Sequence, residues 1–225
     1  MNEVYRLIEQ HPDLCGFNVT IPYKEQIIPL LDEIDDVAAK TGAVNTVQVM
    51  RNGPDIRLKG YNTDVYGFSR SLEEWFTELD VEMPRQALVL GTGGASKAVV
   101  YALNSLGVAA HLTSRQERKG IYKTYEQLNA ADIAAHPLII NTTPLGMYPN
   151  CYNFPNIPYP YLTDRHYLYD LVYNPRITFF MRKGIAMGAS VKNGKRMLHL
   201  QADMAWDIWK GDTTNSQIIK KKFVN

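Results

Sequence analysis

Asn18-Val-Thr-Ile-Pro-Tyr-Lys24 runs out of a short apolar segment and delivers amide, hydroxyl and ammonium groups to one strand end. Asp64 closes a second polar stretch, Tyr61-Asn-Thr-Asp64, again just after a strand-like run. If Lys24 and Asp64 converge they form an acid–base pair. A lysine beside a carboxylate and a substrate hydroxyl can exchange a proton when its surroundings set a suitable pKa. Apart, each is an ordinary surface salt-bridge partner. Asn18, Thr20, Asn45 and Asn62 stand near predicted strand ends, where they either bond a polyhydroxylated ligand or serve as turn and cap residues.

A third stretch, Gly91-Thr-Gly-Gly-Ala95, follows the apolar run Ala87–Leu90 and precedes a helical pattern. Glycines there permit a tight turn and close backbone approach to a pyrophosphate, and the following helix offers unpaired amides. A plain strand-to-helix turn has the same composition. The next strand ends in Leu112-Thr-Ser-Arg115, followed by Glu117, Arg118 and Lys119. In a doubly wound sheet this end meets the adenosine ribose, where an acidic residue would select NAD. None stands at 113–115, and arginine forks suit the oxygens of a 2′-phosphate.

These residues need a scaffold. Residues 3–10 pattern as a helix with Val4, Leu7 and Ile8 on one side, and 15–20 reads as a buried strand. Apolar residues from Ile27 to Lys40 recur at helical spacing, and 43–50 is β-branched up to Arg51-Asn-Gly-Pro54, which predicts a hairpin into 56–59. A helix over 67–79 leads to Pro84, where we place a domain junction. Beyond it strands at 87–90, 109–113, 138–141 and 168–172 alternate with a helix at 96–106, which predicts a parallel sheet with helices on its faces. The segment 150–160 reads as an ordered loop. The last helix, 196–209, is expected to return to the first domain, giving a discontinuous unit of 1–84 with 198–225 beside one of 85–197.

Composition narrows the function. With 24 Lys and Arg against 23 Asp and Glu the net charge is +1, which argues against nucleic acid and acidic membrane surfaces as partners. The basic run at 220–222 reads as a solvated tail. Two cysteines and five histidines lack ligand spacing, so no metal is expected and the thiols read as reduced. No apolar run approaches the ~20 residues needed to span a bilayer, and the cytoplasm is the expected location.

Taken in order, Asn18–Lys24, Gly42-Ala-Val-Asn-Thr46, Tyr61–Asp64, Gly91–Ala95, Asn141-Thr-Thr-Pro-Leu-Gly-Met147, Asp170-Leu-Val-Tyr173 and Met197-Leu-His-Leu-Gln201 resemble shikimate dehydrogenase over nearly the whole chain. The resemblance implies an α/β fold: a Rossmann-like NADP-binding domain and a smaller α/β substrate-binding domain. It implies NADPH-dependent, reversible reduction of 3-dehydroshikimate to shikimate, on the route to chorismate and the aromatic amino acids. By matching positions, Lys24 and Asp64 are the catalytic pair, and Asn18, Thr20, Asn45, Tyr173 and Gln201 bind substrate. Gly91, Gly93, Gly94, Ala95, Ser114, Arg115 and Lys119 bind NADP(H). No metal is implied, and a monomer or homodimer is expected.

The sequence departs from the resemblance in two places. The family's opening strand and its loop of two serines, which hold the substrate carboxylate, have no counterpart here, so the substrate domain is expected to be N-terminally truncated. Lys97 stands where an arginine is common. The alternatives are a catalytically silent NADP-binding remnant and a quinate/shikimate dehydrogenase.

Overall fold

The computed structural model describes residues 2–53 and 55–211; Pro54 of the predicted hairpin and the basic run at 220–222 lie outside the described residues. The chain forms two compact units, one holding the chain up to Tyr66 and resuming at Gln201, the other Gly67–Leu200.

The first unit contains α1 (Asn2–Gln10), β1 (Gly16–Asn18), β2 (Glu33–Ile34), α2 (Asp36–Thr41), β3 (Thr46–Asn52) and β4 (Asp55–Tyr61), with the sheet ordered β1-β3-β4-β2. β1 and β3 are antiparallel and set Asn18 opposite Thr46. β3 and β4 form the predicted hairpin, with Asn52 opposite Asp55 and Thr46 opposite Tyr61. Ile8, Val19, Ile27, Ala38, Val44, Val47, Val49 and Leu58 make its core.

The helix expected over 27–40 is replaced by a 3-10 turn at Ile28–Leu30, then β2 and α2. Tertiary pairing overrides the local period. Asp32 N–H donates to Leu58 O at 2.9 Å and Asp32 Oδ2 accepts from Leu58 N–H at 2.7 Å, drawing the segment onto β4. Asp35 then caps α2 by accepting from Ala38 N–H at 2.9 Å. The unit is completed by the end of α7 (Lys195–Trp209): Gln48 Nε2 donates to Ile208 O at 2.7 Å and Trp209 Nε1 to Val47 O at 3.0 Å. Gly16 is required beneath that indole, because a Cβ there would overlap the Trp209 ring.

α3 (Thr63–Leu79) leads into the second unit, which contains β5 (Gln86–Leu90), α4 (Gly94–Ser105), β6 (Ala109–Ser114), β7 (Lys123–Thr124), α5 (Ala130–Ala135), β8 (Leu138–Asn141), β9 (Tyr167–Asp170), α6 (Phe179–Ala186) and β10 (Ser190–Asn193). Its six strands are all parallel, in the order β10-β9-β8-β5-β6-β7. Leu88, Leu90, Ile139, Leu168 and Phe180 are buried in its core. The short elements β7, α5, α6 and β10 add to the predicted alternation. Strand order reverses between β5 and β8, and in open parallel sheets ligands bind outside the carboxyl ends at such a switch point.

Candidate active site

In the first unit, backbone pairing brings the polar motifs together. Val19 N–H donates to Asn45 O and Val44 N–H to Lys24 O, each at 2.8 Å, so segment 18–24 lies along 43–46. Lys24 Nζ then reaches Asp64 Oδ2 at 2.6 Å, with the two side chains 14% and 10% exposed. Asp64 Oδ1 accepts from Asn45 Nδ2 at 3.0 Å. Thr63 N–H donates to Asn45 Oδ1 at 2.8 Å, which fixes the orientation of the amide and turns its two hydrogens toward Asp64, Thr63 Oγ1 at 2.9 Å and Gln201 Oε1 at 3.3 Å. Asn18 Nδ2 donates to Asn45 O and Thr46 Oγ1, both at 3.2 Å.

Lys24, Asp64, Asn45, Asn18 and Gln201 thus form one hydrogen-bonded cluster. Thr20 is exposed on the turn between them, its carbonyl accepting from Tyr23 N–H at 2.8 Å. Asn62 has the blander of its two roles, since its buried amide holds Thr41 Oγ1 at 3.1 Å and Ala43 O at 2.9 Å. Thr63 is the member the sequence reading passed over, although it stands inside the motif that named Asp64. An ammonium has three N–H donors, so Lys24 bound to Asp64 can also donate to a ligand oxygen.

In the second unit the glycine turn lies at the switch point. Gly91 N–H donates to Thr113 O at 2.9 Å, and its φ of 113° lies in the region that favours glycine. A Cβ there would come within 2.8 Å of Thr142 Oγ1 and 2.9 Å of Thr143 Cγ2. At Gly93 a Cβ would meet nothing within 4 Å, leaving open space beside the turn. Gly94 and Ala95 open α4, whose first amides have no acceptor within the helix. This open turn of backbone donors fits a dinucleotide pyrophosphate.

At the neighbouring strand end Ser114 Oγ is engaged locally, donating to Gln116 O at 2.9 Å. Arg115 and Lys119 are exposed. Arg118, which the sequence groups with Arg115 and Lys119 at the adenosine end although matching to the family does not include it, donates from Nη1 to Thr92 Oγ1 at 3.4 Å, placing its guanidinium beside the glycine turn. Glu117 accepts from Gln127 Nε2 at 3.1 Å. Tyr173 lies just past β9 and is 46% exposed.

A doubly wound sheet with a glycine turn at its switch point, in a chain whose other unit holds a lysine–aspartate pair, is the architecture of a nucleotide-dependent oxidoreductase. Comparison with known proteins makes it specific: this chain belongs to the shikimate dehydrogenase family. It is 38% identical to the NADP(+) shikimate dehydrogenase of Carboxydothermus hydrogenoformans over 220 residues, covering 92% of this chain and 76% of that one. The family model of the shikimate dehydrogenase substrate binding domain matches residues 1–47. The Thermus thermophilus shikimate 5-dehydrogenase, solved with NADP(H) and shikimate, superposes with a TM-score of 0.76 at 31% identity, over 92% of this chain and 77% of that one. The quinate dehydrogenase of Corynebacterium glutamicum, solved with NAD, gives 0.78 at 29% identity over 93% and 78%. Among the described residues no helix is long and apolar enough to cross a membrane.

Proposed function

We propose that this chain catalyses the reversible, NADPH-dependent reduction of 3-dehydroshikimate to shikimate. The observation that carries the proposal is the Lys24–Asp64–Asn45 cluster, in which an ammonium and a carboxylate are tied together at a site mostly closed to water. Residues 1–84 with 198–225 take the substrate and 85–197 the cofactor.

NADPH, when bound at the glycine turn, would supply a hydride for the substrate carbonyl carbon. Lys24 gives a proton from Nζ to the carbonyl oxygen as it becomes a hydroxyl, and takes the proton back in the reverse direction. Asp64 holds Nζ in place and, with Asn45, bonds the ring hydroxyls. Asn18, Thr20 and Gln201 line the same pocket, and Tyr173 meets the substrate carboxylate. Gly91, Gly93, Gly94 and Ala95 hold the pyrophosphate. Ser114, Arg115 and Lys119 hold the adenosine end, where the guanidinium of Arg115 selects the 2′-phosphate. The enzyme works in the cytoplasm as a monomer or homodimer.

The likeness to a quinate dehydrogenase supports a second reading in which quinate is also oxidised. The deciding experiment mixes the purified chain with NADP⁺ and either shikimate or quinate and follows NADPH formation, with Lys24→Ala as control. Turnover of shikimate that vanishes in the variant supports the first reading, and comparable turnover of quinate supports the second. A folded chain that binds NADPH and turns over neither is a silent NADP-binding protein.

A further inference from the structure

Two motif residues remain without a role. Asn141 and Asp170 are both fully buried, side by side in register at the carboxyl ends of β8 and β9. Asp170 Oδ1 accepts from Asn141 Nδ2 at 2.9 Å and from Val172 N–H at 3.0 Å, and Oδ2 accepts from Thr178 Oγ1 at 2.5 Å. These three donors are neutral groups. A buried carboxylate held by neutral donors is costly, so folding alone gives little reason to keep one here.

What the carboxylate holds is the loop after β8. With its Nδ2 on Asp170, Asn141 turns Oδ1 toward Thr143, accepting from the backbone N–H at 3.0 Å and from Oγ1 at 2.6 Å. The same loop lies against the glycine turn. Thr142 N–H and Oγ1 donate to Leu90 O at 3.0 and 2.8 Å, and Thr142 and Thr143 fill the space a Cβ on Gly91 would need.

We propose that Asp170 is a positioning residue for dinucleotide binding: acting through Asn141, it fixes the 142–146 loop against Gly91 and so sets the shape of the turn that receives the pyrophosphate. The inference rests on the assignment of the glycine turn as the cofactor site.

The test is a fluorescence titration of NADPH into the full chain, with a thermal melt of every variant. Asp170→Ala and Asn141→Ala each weaken NADPH binding about tenfold, and the double variant loses little more than the worse single, because both act through one link. Asp170→Asn keeps an acceptor facing Asn141 and Val172 and restores most of the affinity. Unaltered affinity in folded Asn141→Ala, or full multiplication of the two losses, overturns the proposal. If Asp170→Ala fails to melt cooperatively, Asp170→Ser takes its place with the same expected loss. A parent chain that binds no NADPH removes the cofactor assignment and the inference together, and the parent titration alone tells that outcome apart.

Discussion

Lys24 Nζ and Asp64 Oδ2 lie 2.6 Å apart although 40 residues separate them in sequence. The pair forms because β1 and the 43–46 segment run together, so its geometry belongs to the sheet. Replacing Lys24 with Ala should lower kcat by about 10² to 10⁴, the usual worth of a positioned acid–base group, and leave NADPH affinity unchanged. Steady-state rates beside a cofactor titration check this, and an unchanged kcat takes Lys24 out of the chemistry.

Asn45 donates to Asp64 Oδ1 at 3.0 Å, so Asn45→Asp places a second carboxylate against the first. Like charges that close raise the pKa of one of the two, and a group whose folded pKa is raised is stabilising only below that value. The variant should therefore be destabilised at neutral pH and recover as the pH falls through the carboxylate range. Asn45→Ala, which loses hydrogen bonds worth roughly 1–3 kcal/mol, should show no such recovery. Parallel pH profiles of Tm for the two variants contradict the argument.

The two glycines of the turn separate folding from binding. Gly91→Ala forces a side chain into a positive φ and into contact with Thr142, costing about 1–3 kcal/mol of stability as well as cofactor affinity. Gly93 caps α4 and faces open space, and serine is as good a cap, so Gly93→Ser should melt like the parent. It should nonetheless bind NADPH more weakly, because its side chain enters the space offered to the pyrophosphate. Undiminished affinity in Gly93→Ser would move the cofactor elsewhere.

Much of this was legible before folding because the signals were local. Parallel strands buried on both faces are unbroken apolar runs, and Ala87–Leu90 and Leu138–Ile140 stand out as such. Lys24, Asp64 and Asn45 stood out as polar residues at strand ends. What failed depended on distant partners. The 27–40 segment has a helical period, yet Asp32 pairs with Leu58, and no pattern within the segment announces that. The link from Asn141 to Asp170 joins residues 29 apart whose roles emerge only once β8 and β9 are neighbours. Arg118 is legible as one of the cations at the adenosine end, but its place beside Thr92 follows only from the fold.

Two titratable groups, the buried Asp170 and the half-buried His111, give the second unit opposing pH trends. Burial pushes the Asp170 carboxyl up to about 7, so the native state holds a proton that the unfolded chain releases at lower pH. The stability it contributes is complete below the ordinary carboxylate range and is lost as the pH rises through about 7. His111 goes the other way. Burial first, and then the charge of His136 with its Nε2 3.1 Å from His111 Nδ1, holds its pKa below the ordinary histidine value. Its contribution is complete above about 6.5 and is lost as the pH falls through the folded value. Relative to the parent, Asp170→Asn should gain Tm as the pH rises toward about 7 and then level off. His111→Gln should gain Tm relative to the parent as the pH falls below about 6.5. Melting curves of the three proteins between about pH 5 and 8 decide the matter, since a constant offset from the parent would mean that neither group changes its protonation on folding.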